Sequence, residues 1–304
     1  MKRLLRLLAV WRRHLAIGAL LTLFVGCNLD LPTLGGRQFW ADVAWSEGWR
    51  VQQHVLTGHS RLLDPGDTRR AWGPEEFCIA KLPAQQAKRL VILLHGLGRT
   101  RFSMDPMRRE LEAGGECVAS FAYPSTRASI DEHAAQLEKL LNRLEGLQQV
   151  AFVTHSLGGR VLLRLLEREG NWMERIEVDR IVQLAPPNGG SSLARQLAQV
   201  PLVSTLMGPS FMEVRNPATQ VPPPGVPVGV VAGCLPGPFN LNPLLAPGND
   251  GVLTVPETRP AFSHEFLQVR AAHTFLMNSE QTFTSVQRFL NGGELRLNSS
   301  ATRF

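Results

Sequence analysis

The chain of 304 residues is 44% hydrophobic, with 27 glycines and 21 prolines, and is long enough to bury a full core as one large domain or two small ones. Its formal charge is +6, but Lys2, Arg3, Arg6, Arg12 and Arg13 all fall within the first 26 residues, which hold no acid, and setting these five aside leaves +1. A body so close to neutral removes the main support for nucleic-acid binding, and no nucleic-acid partner is expected.

Residues 1–26 read as an export signal or membrane anchor: a basic stretch, then an apolar run from Leu15 to Val25. As a helix this run of 11 residues measures roughly 16 Å against about 30 Å of bilayer hydrocarbon, too short to span comfortably. It ends in Phe24-Val25-Gly26-Cys27, which resembles the lipobox of bacterial lipoprotein signals, with Phe24 where leucine is usual. That resemblance implies lipidation of Cys27, and Asn28 in place of aspartate implies outer-membrane sorting. An uncleaved N-terminal anchor is the alternative. Either way the body is expected at a membrane of the bacterial cell envelope, on the periplasmic side, and multiple acyl chains on one cysteine would hold it there stably. Cys78, Cys117 and Cys234 remain, an odd number with no zinc spacing. One disulfide is open to them in an oxidising compartment, and their spacing does not choose the pair.

Residues 27–88 form a leading segment. Alternation in "WRVQQHVLTG" predicts short strands packed on the main domain, with Trp40, Trp45, Trp49 and Trp72 as core. From residue 89 to 293 the pattern is regular. Apolar runs at 90–94, 117–123, 150–155, 180–185, 226–233 and 265–271 predict strands buried on both faces. Between them lie predicted helices over Pro106–Ala113, Ile130–Leu144, Leu157–Arg168 and Phe275–Leu290. Such alternation predicts an α/β fold, a mostly parallel sheet with helices on both faces. Residues 191–227, apolar early and proline-rich late, interrupt it as a lid or a long crossover. Residues 294–304 read as a tail.

In open parallel sheets ligands bind beyond the carboxyl ends of the strands, which gives each candidate residue a test. Ser156 follows its strand directly and opens a helix, with Gly158 and Gly159 leaving room for close packing. This is the pattern of a nucleophile elbow, with Thr154 where a glycine is usual. The helix N-terminus behind it supplies free N–H groups and a positive dipole end. A serine nucleophile needs a base and an orienting carboxylate. His54 and His59 belong to the leading segment, His133 to a helix, and His155 beside the serine reads as structural. His264 precedes its strand and falls at the wrong end, whereas His273 follows it and falls at the right one. Two aspartates come after Ser156: Asp179, which precedes its strand, and Asp250, which follows one in a turn-forming Asn249-Asp250-Gly251. The candidate set is therefore Ser156, Asp250 and His273. The backbone N–H groups of Leu157 and of Leu97, in "HGLGRT" after the first buried strand, are the candidate oxyanion donors. His95 is left as structural.

These motifs together, His95-Gly96-Leu97-Gly98, Thr154-His155-Ser156-Leu157-Gly158-Gly159, Pro186-Pro187-Asn188-Gly189-Gly190-Ser191, Asn249-Asp250-Gly251 and His273-Thr274-Phe275, resemble the α/β-hydrolase superfamily and, within it, bacterial lipase- and esterase-like members. The resemblance implies hydrolysis of a carboxylic ester through an acyl-enzyme, without metal or organic cofactor. Membrane anchoring and the apolar stretch from Leu193 to Met207 point to a lipid or medium-chain ester as the small-molecule partner. Acyl length, head group and oligomeric state are not readable. The same three side chains also suit a thioesterase, amidase or acyltransferase. A binding lipoprotein that keeps the fold without activity predicts a broken constellation.

Overall fold

A computed structural model describes residues 37–168, 170–200, 203–235 and 242–296; the segment 1–26 and Cys27 lie outside the described residues. The leading segment is an antiparallel meander of β1 (Trp40–Ser46), β2 (Trp49–His54), β3 (Ser60–Leu63) and β4 (Arg69–Gly73), closed by a short helix α1 (Glu75–Ile79). Then come β5 (Arg89–Leu94), α2 (Asp105–Ala113), β6 (Val118–Phe121), α3 (Ile130–Asn142), β7 (Gln149–His155), α4 (Leu157–Glu167) and β8 (Glu177–Leu184). Helices α5 (Ser192–Leu197), α6 (Val203–Met207) and α7 (Pro209–Glu213) follow, then β9 (Val228–Gly233), α8 (Val255–Thr258), β10 (Glu265–Val269) and α9 (Glu280–Leu290).

Strands β5 to β10 build a parallel sheet in the order β10-β9-β8-β7-β5-β6. Continuous apolar strands suit it because both faces are covered. Leu90, Ile92 and Leu94 of β5 pack on one side with Leu137 and Leu141 of α3 and Val161 and Leu165 of α4. Val91 and Leu93 pack on the other with Met107 and Leu111 of α2 and Val286 and Phe289 of α9. The period-2 alternation of side chains divides each run between two cores.

The meander sits at the β6 edge. The Asp42 N–H donates to Ala122 O and its carboxylate accepts from the Ala122 N–H, both at 2.8 Å. Arg143, just past the end of α3, and Gln136 within it donate to Val43 O at 2.9 Å and Asp42 O at 2.8 Å. A buried Arg50 joins Asp42 and Ser120 O, each at 3.1 Å. Here Trp40 and Trp45 are core, but Trp72 is 48% exposed, because β4 is the outer strand of the meander.

Two element boundaries also differ from the expectation. The helix expected over Phe275–Leu290 is divided: a 3-10 turn spans His273–Asn278, Ser279 is extended at ψ 129°, and α9 begins at Glu280. The His273 N–H donates to Asp250 O at 2.9 Å, so the first turn takes its direction from the Asp250 loop and α9 starts afresh. Asp179 lies inside β8 rather than before it, at a register shift, and accepts from Arg89 at 3.0 Å. Cys78, Cys117 and Cys234 are all free. At the end of the described chain Leu295 is fully buried, its N–H donating to Glu265 at 2.6 Å, so the beginning of the 294–304 segment packs on the sheet.

Candidate active site

The carboxyl ends of β5, β7, β9 and β10 converge on one place. Ser156 stands at the end of β7 with φ 52° and ψ −118°, a conformation that side chains other than glycine adopt at a cost of about 1–3 kcal/mol. Surrounding contacts hold it: the Ser156 N–H donates to Leu184 O at 2.9 Å, and Ser156 O accepts from the Gly159 N–H at 3.0 Å. The glycines of the elbow are required by space. A Cβ at Gly158 would stand 2.7 Å from Leu94 O, and one at Gly159 3.0 Å from Pro186 Cβ. One at Gly96 would stand 2.9 Å from His155 Nδ1 and 3.2 Å from Ser156 Cβ, which brings the "HGLG" loop against the serine. Thr154 fits where a glycine is usual because it is fully buried and its hydroxyl donates into the sheet, to Val182 O at 3.4 Å.

Asp250 and His273 meet although 23 residues separate them: Asp250 Oδ2 lies 2.7 Å from His273 Nδ1. The other carboxylate oxygen accepts from the Val252 N–H at 2.9 Å and the Leu253 N–H at 2.7 Å. A carboxylate oxygen only accepts, so Nδ1 carries the ring proton and Nε2 is left as the acceptor. Both side chains are buried. A small residue at the end of β9 makes the approach feasible, since a Cβ at Gly233 would stand 3.0 Å from Asp250 Cβ. His155 joins the pair to the elbow. Its ring is 4.8 Å from that of His273, and its Nε2 is 3.0 Å from His273 O. Burial holds the His155 pKa well below the ordinary value, aided by the nearby His273, so it is a neutral structural group, as its place beside the serine suggested.

The first turn of α4 holds no acidic residue and no capping side chain, so the Leu157 N–H and the dipole end face the elbow unneutralised. Among the described residues nothing accepts the Leu97 N–H. Its loop is fixed on both sides. The Gly98 N–H donates to Ser125 Oγ at 3.0 Å, and the Tyr123 hydroxyl donates to His95 O. His95 stacks on Tyr123 at 4.1 Å, and burial lowers its pKa to about 3. Tyr123 and Ser125 went unnoticed in the sequence, although both follow the β6 strand at its carboxyl end, where the same positional test would have found them.

The 191–227 segment joins β8 to β9 and is tied down at several points. Ser192 N–H donates to Glu257 at 2.5 Å, and Gly189 N–H to Glu257 O at 2.7 Å. Buried Arg160 donates to Pro187 O at 3.1 Å and Asn216 O at 2.8 Å. Glu213 of α7 accepts from the Ile130 N–H at the start of α3 at 3.1 Å, a favourable place for a carboxylate. Glu257 was legible as the partner in a Thr254–Glu257 capping box; Arg160 had no local signal. Val203, Met207 and Met212 of this segment share one apolar cluster with Leu97 and Leu157. No group of three or more His, Cys, Asp or Glu side chains suited to a metal occurs among the described residues.

Residues 62–224, more than half of the chain, match the family described as "Domain of unknown function (DUF7379)". The chain belongs to this family. No curated protein sequence matches it. Among solved structures it is similar to Bacillus licheniformis lipase BlEst2 in mature form, with 18% identity and a TM-score of 0.55 over 68% of this chain and 94% of that one. The propeptide form of the same lipase aligns with 18% identity and a TM-score of 0.56 over 73% of this chain and 54% of that one. Identity at this level speaks for the fold, and with the six-stranded parallel sheet it makes this DUF7379 member an α/β-hydrolase fold.

Proposed function

We propose that the chain is a serine hydrolase that cleaves carboxylic esters through an acyl-enzyme, with Ser156 as nucleophile, His273 as base and Asp250 as its orienting partner. The observation that carries this reading is the 2.7 Å Asp250–His273 contact, held beside the strained Ser156 turn through His155. Ser156 Oγ attacks the ester carbonyl while His273 Nε2 takes its proton. Asp250 stabilises the imidazolium, and the Leu97 and Leu157 N–H groups receive the oxyanion. His273 then returns the proton to the departing alcohol. Water, deprotonated by the same Nε2, attacks the acyl carbonyl and releases the acid and free Ser156.

The apolar side chains Val203, Met207 and Met212, which pack on the same face of the sheet as Leu97 and Leu157, support an acyl chain as the bound portion, hence a lipid or medium-chain ester. The basic and apolar residues 1–26 and Cys27 support a membrane anchor, lipidated or uncleaved, that holds the body at the bacterial envelope.

Initial rates on p-nitrophenyl esters of increasing acyl length, for wild type and Ser156→Ala, test the reading. Turnover is expected in the wild type and a loss on the order of 10⁴–10⁶ in the variant, with an optimum at intermediate or long chains. Equal turnover in both removes Ser156 from the mechanism. No turnover on any ester moves the reading to thioester, amide or acyl-transfer chemistry, or to binding alone.

A further inference from the structure

The meander carries an aromatic surface that the candidate site does not use. Phe39 stacks on His54 at 5.8 Å, Trp40 meets His54 at 4.9 Å and Trp72 at 5.7 Å, and Trp72 stacks on His59 at 5.8 Å. These rings form one contiguous row. Its outer end is open: beside the exposed Trp72, the β2–β3 turn lifts Val55 to 42% and Leu56 to 62% exposure. Cations lie over the rings, Arg61 at 3.9 Å from Trp40, Arg69 at 5.2 Å from Trp72 and Arg127 at 4.7 Å from Phe39. The acids nearby are engaged elsewhere, Asp64 with Arg70 and Asp67 with Arg101. Apolar side chains at a turn tip, flanked by indole and guanidinium groups, match the chemistry of the headgroup layer of a membrane.

The entry point of the chain says what faces this surface. Residues 28–36 connect Cys27 to the 3-10 turn Arg37–Phe39, and Phe39 is the first ring of the row. The nine residues between Cys27 and Arg37 let these two stand about 36 Å apart at most, so an anchor at Cys27 keeps the start of the row near the bilayer. Charge points the same way. A second copy packed on this face about a two-fold axis would bring Arg69 and Arg127 toward like charges, whereas anionic lipid supplies opposite ones.

We propose that this face docks on an anionic phospholipid surface, with Val55, Leu56 and Trp72 in the headgroup layer and Arg69 and Arg127 against lipid phosphates. The proposal rests on the membrane anchoring proposed above and goes beyond it, because a tether alone leaves the body free to turn. Docking would also bring the candidate site toward the lipid. Gln38 Nε2 donates to Gly98 O at 3.2 Å in the Leu97 loop. Arg127 adjoins Thr126, whose carbonyl is so close to Gly208, between α6 and α7, that only glycine fits there.

The test uses vesicles containing anionic phospholipid, mixed with the full chain carrying an environment-sensitive fluorescent amino acid in place of Leu56 or, for reference, of the exposed Glu177 at the amino end of the parallel sheet. The chain is expected to float with the vesicles. Emission at position 56 should shift to the blue and be quenched several-fold more by brominated lipid than emission at 177. Combined Arg69→Glu and Arg127→Glu should remove that difference while flotation persists. A chain that floats with position 56 as water-exposed as position 177 overturns the docking and leaves the anchor standing. A chain that does not float overturns both. A blue shift that appears without lipid and grows with protein concentration assigns the face to a second copy and overturns the lipid assignment.

Discussion

The two ends of the six-stranded sheet are made by the same apolar strands and differ in nearly everything else. At the amino end Arg89 binds Glu116 and, at 3.0 Å, Asp179, and also reaches Leu290 O at 3.3 Å; these side chains are part-exposed. His264 there is half-buried and has its Nδ1 2.8 Å from Phe262 O. At the carboxyl end His95, His155, His273 and Asp250 are buried, and Ser156 and Ala185 hold positive φ. Ion pairs of the first kind are screened and worth about 0–1 kcal/mol. Desolvated histidines and backbone strain of the second kind persist only where the surroundings over-determine them. Strain and desolvated polar groups thus concentrate at the end where an α/β sheet binds its ligands.

The comparison can be broken by substitution. Asp250→Asn should lower ester turnover on the order of 10⁴-fold, because an amide no longer imposes the Nδ1–H tautomer. Circular dichroism and kcat/KM measured together check it, and full activity in a folded variant counts against the assignment.

Acid sharpens the contrast through the buried histidines. Burial lowers the pKa of His95 to about 3 and of His133, which packs against Tyr123, to about 4. The unfolded chain protonates them near the ordinary value of about 6.5 while the folded chain keeps them neutral. Stability therefore falls as pH drops from about 6.5 toward 4, by up to about 1.4 kcal/mol per pH unit for each histidine. Urea titrations of wild type and His133→Gln across that window should give a shallower dependence in the variant; parallel curves would mean that His133 does not contribute.

A smaller effect isolates the strain at the elbow. Ser156→Gly should be more stable than Ser156→Ala by about 1–2 kcal/mol, since glycine adopts φ 52° without a Cβ penalty. Thermal unfolding of the two inactive variants reads the difference directly, and an equal Tm would show the turn to be unstrained. The smallest effect belongs to the amino end: Arg89→Ala should cost about 1 kcal/mol or less and leave ester kinetics unchanged. A large loss of activity there would erase the distinction between the two ends.

Much of the fold was legible because its signals are local. Each of the six apolar runs overlaps a strand of the parallel sheet, and three of the four predicted helices keep their limits to within two residues. The serine turn was legible for the same reason, since a strand end, two small residues and a helix start are consecutive. Misreadings arose where a distant contact decides. Trp72 reads as core by type but falls on the outer strand of its sheet. Residues 275–290 read as one helix, but the bond from His273 N–H to Asp250 O turns its beginning aside. Tyr123 and Ser125 are marked only by their place beyond the end of β6, and Arg160 and Glu213 bind chain segments far away in sequence, so no local spacing announces their partners.

The sequence by itself determined the class of fold, the position of the serine and the short set of residues that could serve it, because periodicity, glycine placement and strand polarity are properties of neighbouring residues. Only the tertiary structure decided the strand order β10-β9-β8-β7-β5-β6, the 2.7 Å meeting of Asp250 with His273, and the joining of the meander's aromatic row to the rim of the site through Gln38. Those depend on chain segments that touch across long stretches of sequence, where packing and desolvation, rather than local pattern, select the partner.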